Sequence, residues 1–214
     1  APPAPPPLSP RYNEGTFPGA GVGEALTRPG LGLEGIVVAD ASPDDSLSVA
    51  RRLAARHPQV HVVAHEKNLR HLATYEDGLA RATGEYFALV SADDALAPGS
   101  LTRAVGLMEA HPSVGLAYGN ARYFEGSLPR HRPGLATWST WAGAEWIEAV
   151  CHLGLNRILS PEAVMRPSLM RSLAGFELRL RHSADFYNWL RSHARANAAM
   201  VTGWTQASER LPTP

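Results

Sequence analysis

The sequence predicts an α/β fold: a mostly parallel sheet flanked by helices, in a single domain. Three observations carry that expectation. Short apolar runs alternate with helical patterns from about residue 35 to residue 124, as parallel strands joined by crossover helices require. The chain has 214 residues, 44% of them hydrophobic, enough for one sizeable core. The central apolar run, Glu85 to Val90, leads into an acid pair, Asp93 and Asp94, and then a Pro98-Gly99 turn. In open α/β sheets, ligands bind just beyond the carboxyl ends of the strands.

In chain order, residues 1–10 are mostly proline and alanine. Proline lacks the ladder donor, so this stretch is expected as an extended lead-in outside any central strand. Gly19-Ala20-Gly21-Val22-Gly23 has the look of a phosphate loop, but no apolar strand precedes it, and it reads as a flexible loop. Gly35 to Asp40 is a short buried strand ending in an acid. Ala41 to Ser46 is a turn and helix cap, followed by a helix with Leu47, Ala50, Leu53 and Ala54 on one face, stopped at His57-Pro58. Val60 to Ala64 is the next strand. Arg70 to Ala82 is a helix with Leu72, Tyr75, Leu79 and Ala82 inward, closed by Gly84. Ser100 to Ala110 is a helix ending at His111-Pro112, and Val114 to Tyr118 a strand. Beyond residue 125 the pattern loosens, with Trp138, Trp141 and Trp146 in polar, glycine-rich surroundings. Glu145 to Leu153 reads as helix, Pro161 to Met165 as a short strand, and Pro167 to Leu173 as a short helix ended by Gly175. Ser183 to Ala194 is a last helix, bearing Asp185, and Ala199 to Val201 a last strand.

Composition excludes some functions. Net charge is zero, so no global basic field points to nucleic acid. Cys151 is the only cysteine, which rules out an intrachain disulfide and a cysteine metal cluster. No apolar run reaches the length of a membrane span. The expected setting is cytoplasmic, with peripheral attachment to a membrane surface left open. No G-x-G-x-x-G follows a strand, which argues against a dinucleotide-binding enzyme.

The acids carry the candidate chemistry. Asp93 and Asp94 at a strand end can hold a hard divalent cation, which in turn holds a diphosphate; they can equally form a solvated turn before a helix. Asp185 lies in the first turn of a helix, where a carboxylate complements the macrodipole.

Several segments together resemble the family-2 glycosyltransferases. These are Tyr12-Asn13-Glu14-Gly15, then Ile36 to Ser46, then Asn68-Leu69-Arg70-His71 with Tyr75 and Gly78-Leu79-Ala80. Ala82 to Asp94 follows, resembling an A-x-G-E-Y…D-x-D segment, and Pro98-Gly99-Ser100-Leu101 with Met108 to Gly115 continues in register. Last come Gly175-Phe176-Glu177, His182 to Asp185 and Trp189-Leu190-Arg191. The resemblance implies the GT-A fold and transfer of a sugar from a nucleotide-diphosphate sugar to a carbohydrate or other hydroxyl acceptor. It implies a divalent cofactor, Mn or Mg, held by Asp93 with Asp94. It places Asn13, Asp40, Arg70 and Asp93 on the nucleotide sugar and makes Asp185 the catalytic base of an inverting reaction. It divides the domain into a nucleotide-sugar-binding half, residues 11–124, and an acceptor-side half, residues 125–214.

Four departures from the family pattern stand out. Ser91 occupies the place of the first aspartate of the D-x-D, and Ala39 that of another frequent aspartate. Arg70 sits where glycine is frequent, and the proline-alanine lead-in replaces an apolar first strand. Ser91, Ala39 and the proline-rich start keep a second class of function in view: a degenerate glycosyltransferase-like domain that binds or scaffolds without catalysis.

Overall fold

The computed structural model describes residues 32–90, 94–124, 137–158, 163–177, 179–180 and 183–209, with the backbone path alone at 95, 122–124 and 202–209. The lead-in, Asn13, the glycine-rich stretch, Ser91 and Asp93 lie outside the described residues.

Strand β1 (Gly35–Ala39) is buried along its whole length and pairs in parallel with β2 (Val60–Ala64), Gly35 opposite Val60 and Ala39 opposite Ala64. Helix α1 (Ser46–Arg56) is the crossover between them. The Asp44 carboxylate accepts the Ser46 N–H at 3.0 Å and so satisfies one orphan donor of the first turn. His57, extended before Pro58, stops the helix, as a residue preceding proline must leave the α region. Helix α2 (His71–Arg81) follows. These elements match expectation closely, because each has an uninterrupted hydrophobic period and a proline or glycine at its end.

The rest of the chain builds a six-stranded sheet from β3 (Phe87–Ala88), β4 (Asp94–Leu96), β5 (Val114–Phe124), β6 (Trp138–Trp141), β7 (Val164–Met165) and β8 (Asn197–Glu209). Helices α3 (Ser100–Ala110), α4 (Gly143–Leu153), α5 (Pro167–Ser172) and α6 (Ala184–His193) complete the described elements. This sheet is mixed, which qualifies the expected mostly parallel arrangement. Strands β5 and β8 pair in parallel, but β7 enters antiparallel between β3 and β5, and β4 and β6 both run antiparallel to β8. A buried apolar run such as Ala163-Val164-Met165 fixes burial and not direction, so orientation was not readable from it.

Period-two alternation, shifted in β5 by an irregularity between Val114 and Leu116, lays the core on both faces of the sheet. Tyr86, Ala88, Val114, Ala117 and Val164 point to one side, where Ala50 of α1 and Leu101, Val105 and Met108 of α3 cover them. Phe87, Leu89, Leu116, Tyr118 and Met165 point to the other, under Leu72 and Leu79 of α2, Trp146 of α4, Met170 of α5 and Trp189 of α6. No helix among the described residues is long and apolar enough to cross a membrane.

Two elements exceed expectation. Trp138 to Trp141 forms an edge strand, β6, and β8 runs from Asn197 to Glu209 where three residues were expected. The tryptophans divide accordingly: Trp146 is core and donates its Nε1–H to the Tyr118 hydroxyl at 3.0 Å, whereas Trp138 is 57% exposed.

Candidate active site

The parallel register of β1 and β2 builds one corner of the site. Ala39 pairs with Ala64, so Asp40 and His65 emerge side by side at the carboxyl edge of the two strands. The Asp40 side chain is 1% exposed. Its Oδ1 accepts the Leu69 N–H at 2.8 Å and faces His65 Nδ1 at 2.8 Å; its Oδ2 accepts the Arg70 N–H at 2.8 Å. A buried charge persists only when it is hydrogen-bonded in this manner. Burial works to raise the Asp40 pKa, but the bonds from Leu69, His65, Thr74 and Arg70 outweigh it, and the carboxyl is held below its ordinary value.

His65 has a second carboxylate on its other side, with Nε2 3.1 Å from Oδ2 of Asp77 on α2. Asp77 in turn accepts from Arg81 Nε at 3.1 Å. Burial alone would lower the His65 pKa; the two carboxylates reverse that and raise it. Burial likewise works to raise Asp77, and its bonds to His65 and Arg81 bring it down.

Arg70 stands at the N-terminus of α2 with φ 70° and ψ 161°. That conformation belongs almost entirely to glycine, and a side chain held there stores about 1–3 kcal/mol of strain. The frequent glycine at this place in the resembling family has a backbone reason, which this chain overrides. The Arg70 N–H bonded to Asp40, and its carbonyl, accepting the Thr74 N–H at 3.1 Å and the Thr74 hydroxyl at 2.8 Å, hold the residue in place. The side chain is exposed. Ala41, next to Asp40, also has positive φ, 54°. His71 is exposed and meets the Tyr75 ring edge-on, with centroids 5.8 Å apart.

Asp94 opens β4, opposite Ser208 of β8, and is buried. The expected solvated turn is therefore not what holds it. Its hard carboxylate oxygens suit a divalent cation such as Mg or Mn. Among the described residues, no group of three or more His, Cys, Asp or Glu side chains gathers as a metal site; Asp93, the expected principal ligand, lies outside them.

Asp185 lies in the first turn of α6 and is half-buried. It accepts from Asn156 Nδ2 at 3.2 Å, and Asn156 Oδ1 accepts the Ile158 N–H at 3.1 Å, which fixes the amide's orientation. A chain of contacts joins this region to α2. The Glu76 carboxylate accepts the Phe176 N–H at 2.5 Å, and a Cβ at Gly175, whose φ is 80°, would run into that carboxylate. Arg191 of α6 donates to the carbonyls of Gly175 and Leu173.

Of the sequence candidates, Asp40 and Arg70 come together directly, and Asp94 and Asp185 are placed on β4 and α6. His65, Asp77 and Asn156 were not foreseen. Their roles depend on strand register and on contacts between distant segments. The one local signal was the i, i+4 spacing of Asp77 and Arg81.

Known proteins bear on this geometry. The profile of the family described as Glycosyl transferase family 2 matches residues 9–171. The uncharacterized glycosyltransferase YibD of Escherichia coli (strain K12) is 33% identical over 91 residues, 42% of this chain and 26% of that protein. The chain spans about a quarter to a third of the length of the curated relatives it matches. Two solved glycosyltransferases share the fold. S. aureus TarS 1–349, in complex with UDP-GlcNAc, superposes with a TM-score of 0.75 at 16% identity, covering 97% of this chain and 59% of that one. Mannosyltransferase PcManGT from Pyrobaculum calidifontis, in complex with GDP-Man and Mn2+, gives 0.63 at 18%, covering 97% and 57%. With most of its length matched by the family profile and the GT-A fold around it, the chain belongs to glycosyl transferase family 2.

Proposed function

We propose that this domain transfers a sugar from a nucleotide-diphosphate sugar to an acceptor hydroxyl, with inversion at the anomeric carbon. The observation that carries the reading is the carboxyl edge of β1 and β2, where Asp40 fixes the Leu69–Arg70 backbone and leaves the Arg70 guanidinium exposed. An arginine at such an edge suits a diphosphate. The UDP-GlcNAc complex of TarS and the GDP-Man complex of PcManGT support a donor of this class.

Residues 11–124 form the donor half in this reading, with Asn13, Asp40, Arg70 and Asp93 on the nucleotide sugar, Asp40 acting through the loop it holds. Residues 125–214 form the acceptor half. The acceptor oxygen attacks the anomeric carbon as the bond from that carbon to the diphosphate oxygen breaks. The electron pair leaves with the diphosphate, and the hydroxyl proton passes to the Asp185 carboxylate. Asn156 holds that carboxylate in one orientation. Asp93 and Asp94 would hold a divalent cation, which supplies Lewis-acid neutralisation of the leaving diphosphate. The Mn2+ in the PcManGT complex supports such a cofactor.

Calorimetric titration with a panel of nucleoside diphosphates, with and without manganese, tests this. Metal-dependent binding of one nucleotide is expected, and it is expected to vanish in Asp93→Ala with the fold intact. A folded protein that binds none of them would instead be a non-catalytic glycosyltransferase-like binding domain.

A further inference from the structure

We infer that His65 is a positioning residue: as an imidazolium bridging Asp40 and Asp77, it holds the Leu69–Arg70 loop in its donor-binding shape. The inference rests on the donor-side reading of that edge. It starts from donor counting. Both ring nitrogens of His65 face carboxylate oxygens, at 2.8 Å and 3.1 Å. An ionised carboxylate only accepts, and a neutral imidazole donates from one nitrogen alone. The arrangement is therefore satisfied on both sides only when His65 carries two protons. Loss of one leaves a ring lone pair against a carboxylate, on the Asp40 side or the Asp77 side.

Asp40 is where this is felt. The same Oδ1 that faces His65 also takes the Leu69 N–H, and the neighbouring Oδ2 takes the Arg70 N–H. Arg70 is in a glycine-like conformation, and its N–H is held by Asp40 Oδ2 at 2.8 Å together with Asn68 Oδ1 at 2.9 Å. The charged groups facing His65 are Asp40 from the end of β1 and Asp77 from α2, with Arg81 behind Asp77. Their shifts run in opposite directions, as for opposite charges that stabilise one another: His65 is raised above 6.5 while Asp40 and Asp77 are lowered below 3.8. A raised histidine contributes hold that is complete below its unfolded value of 6.5 and is lost as pH rises through its folded value. Lowered carboxyls contribute hold that is complete above 3.8 and is lost as pH falls through theirs. The loop is thus held best between the two limits.

The test uses the whole domain without nucleotide first. NMR follows the His65 ring shifts and the exchange protection of the Leu69 and Arg70 amides, corrected for intrinsic rate, across pH. Protection is expected to fall about tenfold or more as His65 deprotonates. It should be flat with pH in His65→Gln. In Asp77→Asn, which spares the buried carboxylate, it should be lost at lower pH. The affinity for the nucleoside diphosphate selected by titration should follow the same curve. Protection indifferent to the His65 titration overturns the inference, as does a nucleotide affinity that ignores it. If protection follows His65 but no nucleotide binds at any pH, the donor reading fails while the hold on the loop stands.

Discussion

The two carboxylates at the centre of the proposed chemistry are held in opposite ways. Asp40 is buried, takes two backbone N–H groups and a histidine, and stands beside two residues with positive φ, Ala41 and Arg70. Asp185 is half-buried at a helix start, with an asparagine from 29 residues away reaching it. A group that fixes backbone has to be saturated, because each donor it drops is left unpaired. A group that must accept a proton from an incoming hydroxyl needs room beside it. The first arrangement costs function little when it is rigid; the second depends on remaining accessible.

Substitutions should separate the two. Asp185→Asn is expected to lower transfer about 100- to 10,000-fold, while donor affinity and melting temperature stay near the parent values; steady-state kinetics beside calorimetry checks this. Retained transfer would leave Asp185 as a helix-start charge. Asp40→Ala is expected to act first on the fold, costing about 3 kcal/mol by urea denaturation, since it strands the Leu69 amide, leaves the Arg70 N–H to Asn68 Oδ1 alone and takes from His65 one of its two carboxylates. A loss under about 0.5 kcal/mol would mean the cradle is unimportant. Arg70→Gly should pull stability and binding apart. Relief of the strained backbone raises stability by about 1 kcal/mol, while nucleotide-diphosphate affinity falls. A variant that loses stability would contradict the strain assignment. Asn156→Ala is the mildest, expected to cost about 1 kcal/mol or less and to show mainly as a slower rate.

How far the sequence reached follows the same division. Elements β1, α1, β2, α2 and α3 were legible because hydrophobic period and proline or glycine stops agree over each of them. Asp40 was legible as an acid at a strand end. His65 was not, because nothing local pairs it with Asp40; the pairing appears only once β1 and β2 are set in register. The direction of β7 and the length of β8 were hidden for a related reason, since a short buried run carries no orientation. The glycine at Arg70's place in the resembling family was visible as a departure, and the backbone angles supply its cause.

Helices α4 and α6 are in contact at Gly143 and His193. A Cβ on Gly143 would overlap the His193 carbonyl oxygen, and the His193 ring stacks on Trp146 with centroids 3.7 Å apart. Burial, against the opposing bond to the Trp189 carbonyl, brings that histidine's pKa down to about 4, so the stack is uncharged near neutrality. At the other end, in the segment that leaves α4 past its left-handed cap Gly154, Asn156 meets Asp185 in the first turn of α6. The pair behaves as tongs riveted at one end and gripping at the other. A single methyl at Gly143 would pry the rivet roughly 16 Å along α4 from the jaws, so a change remote from the proposed site would be read out at the carboxylate proposed to take the proton.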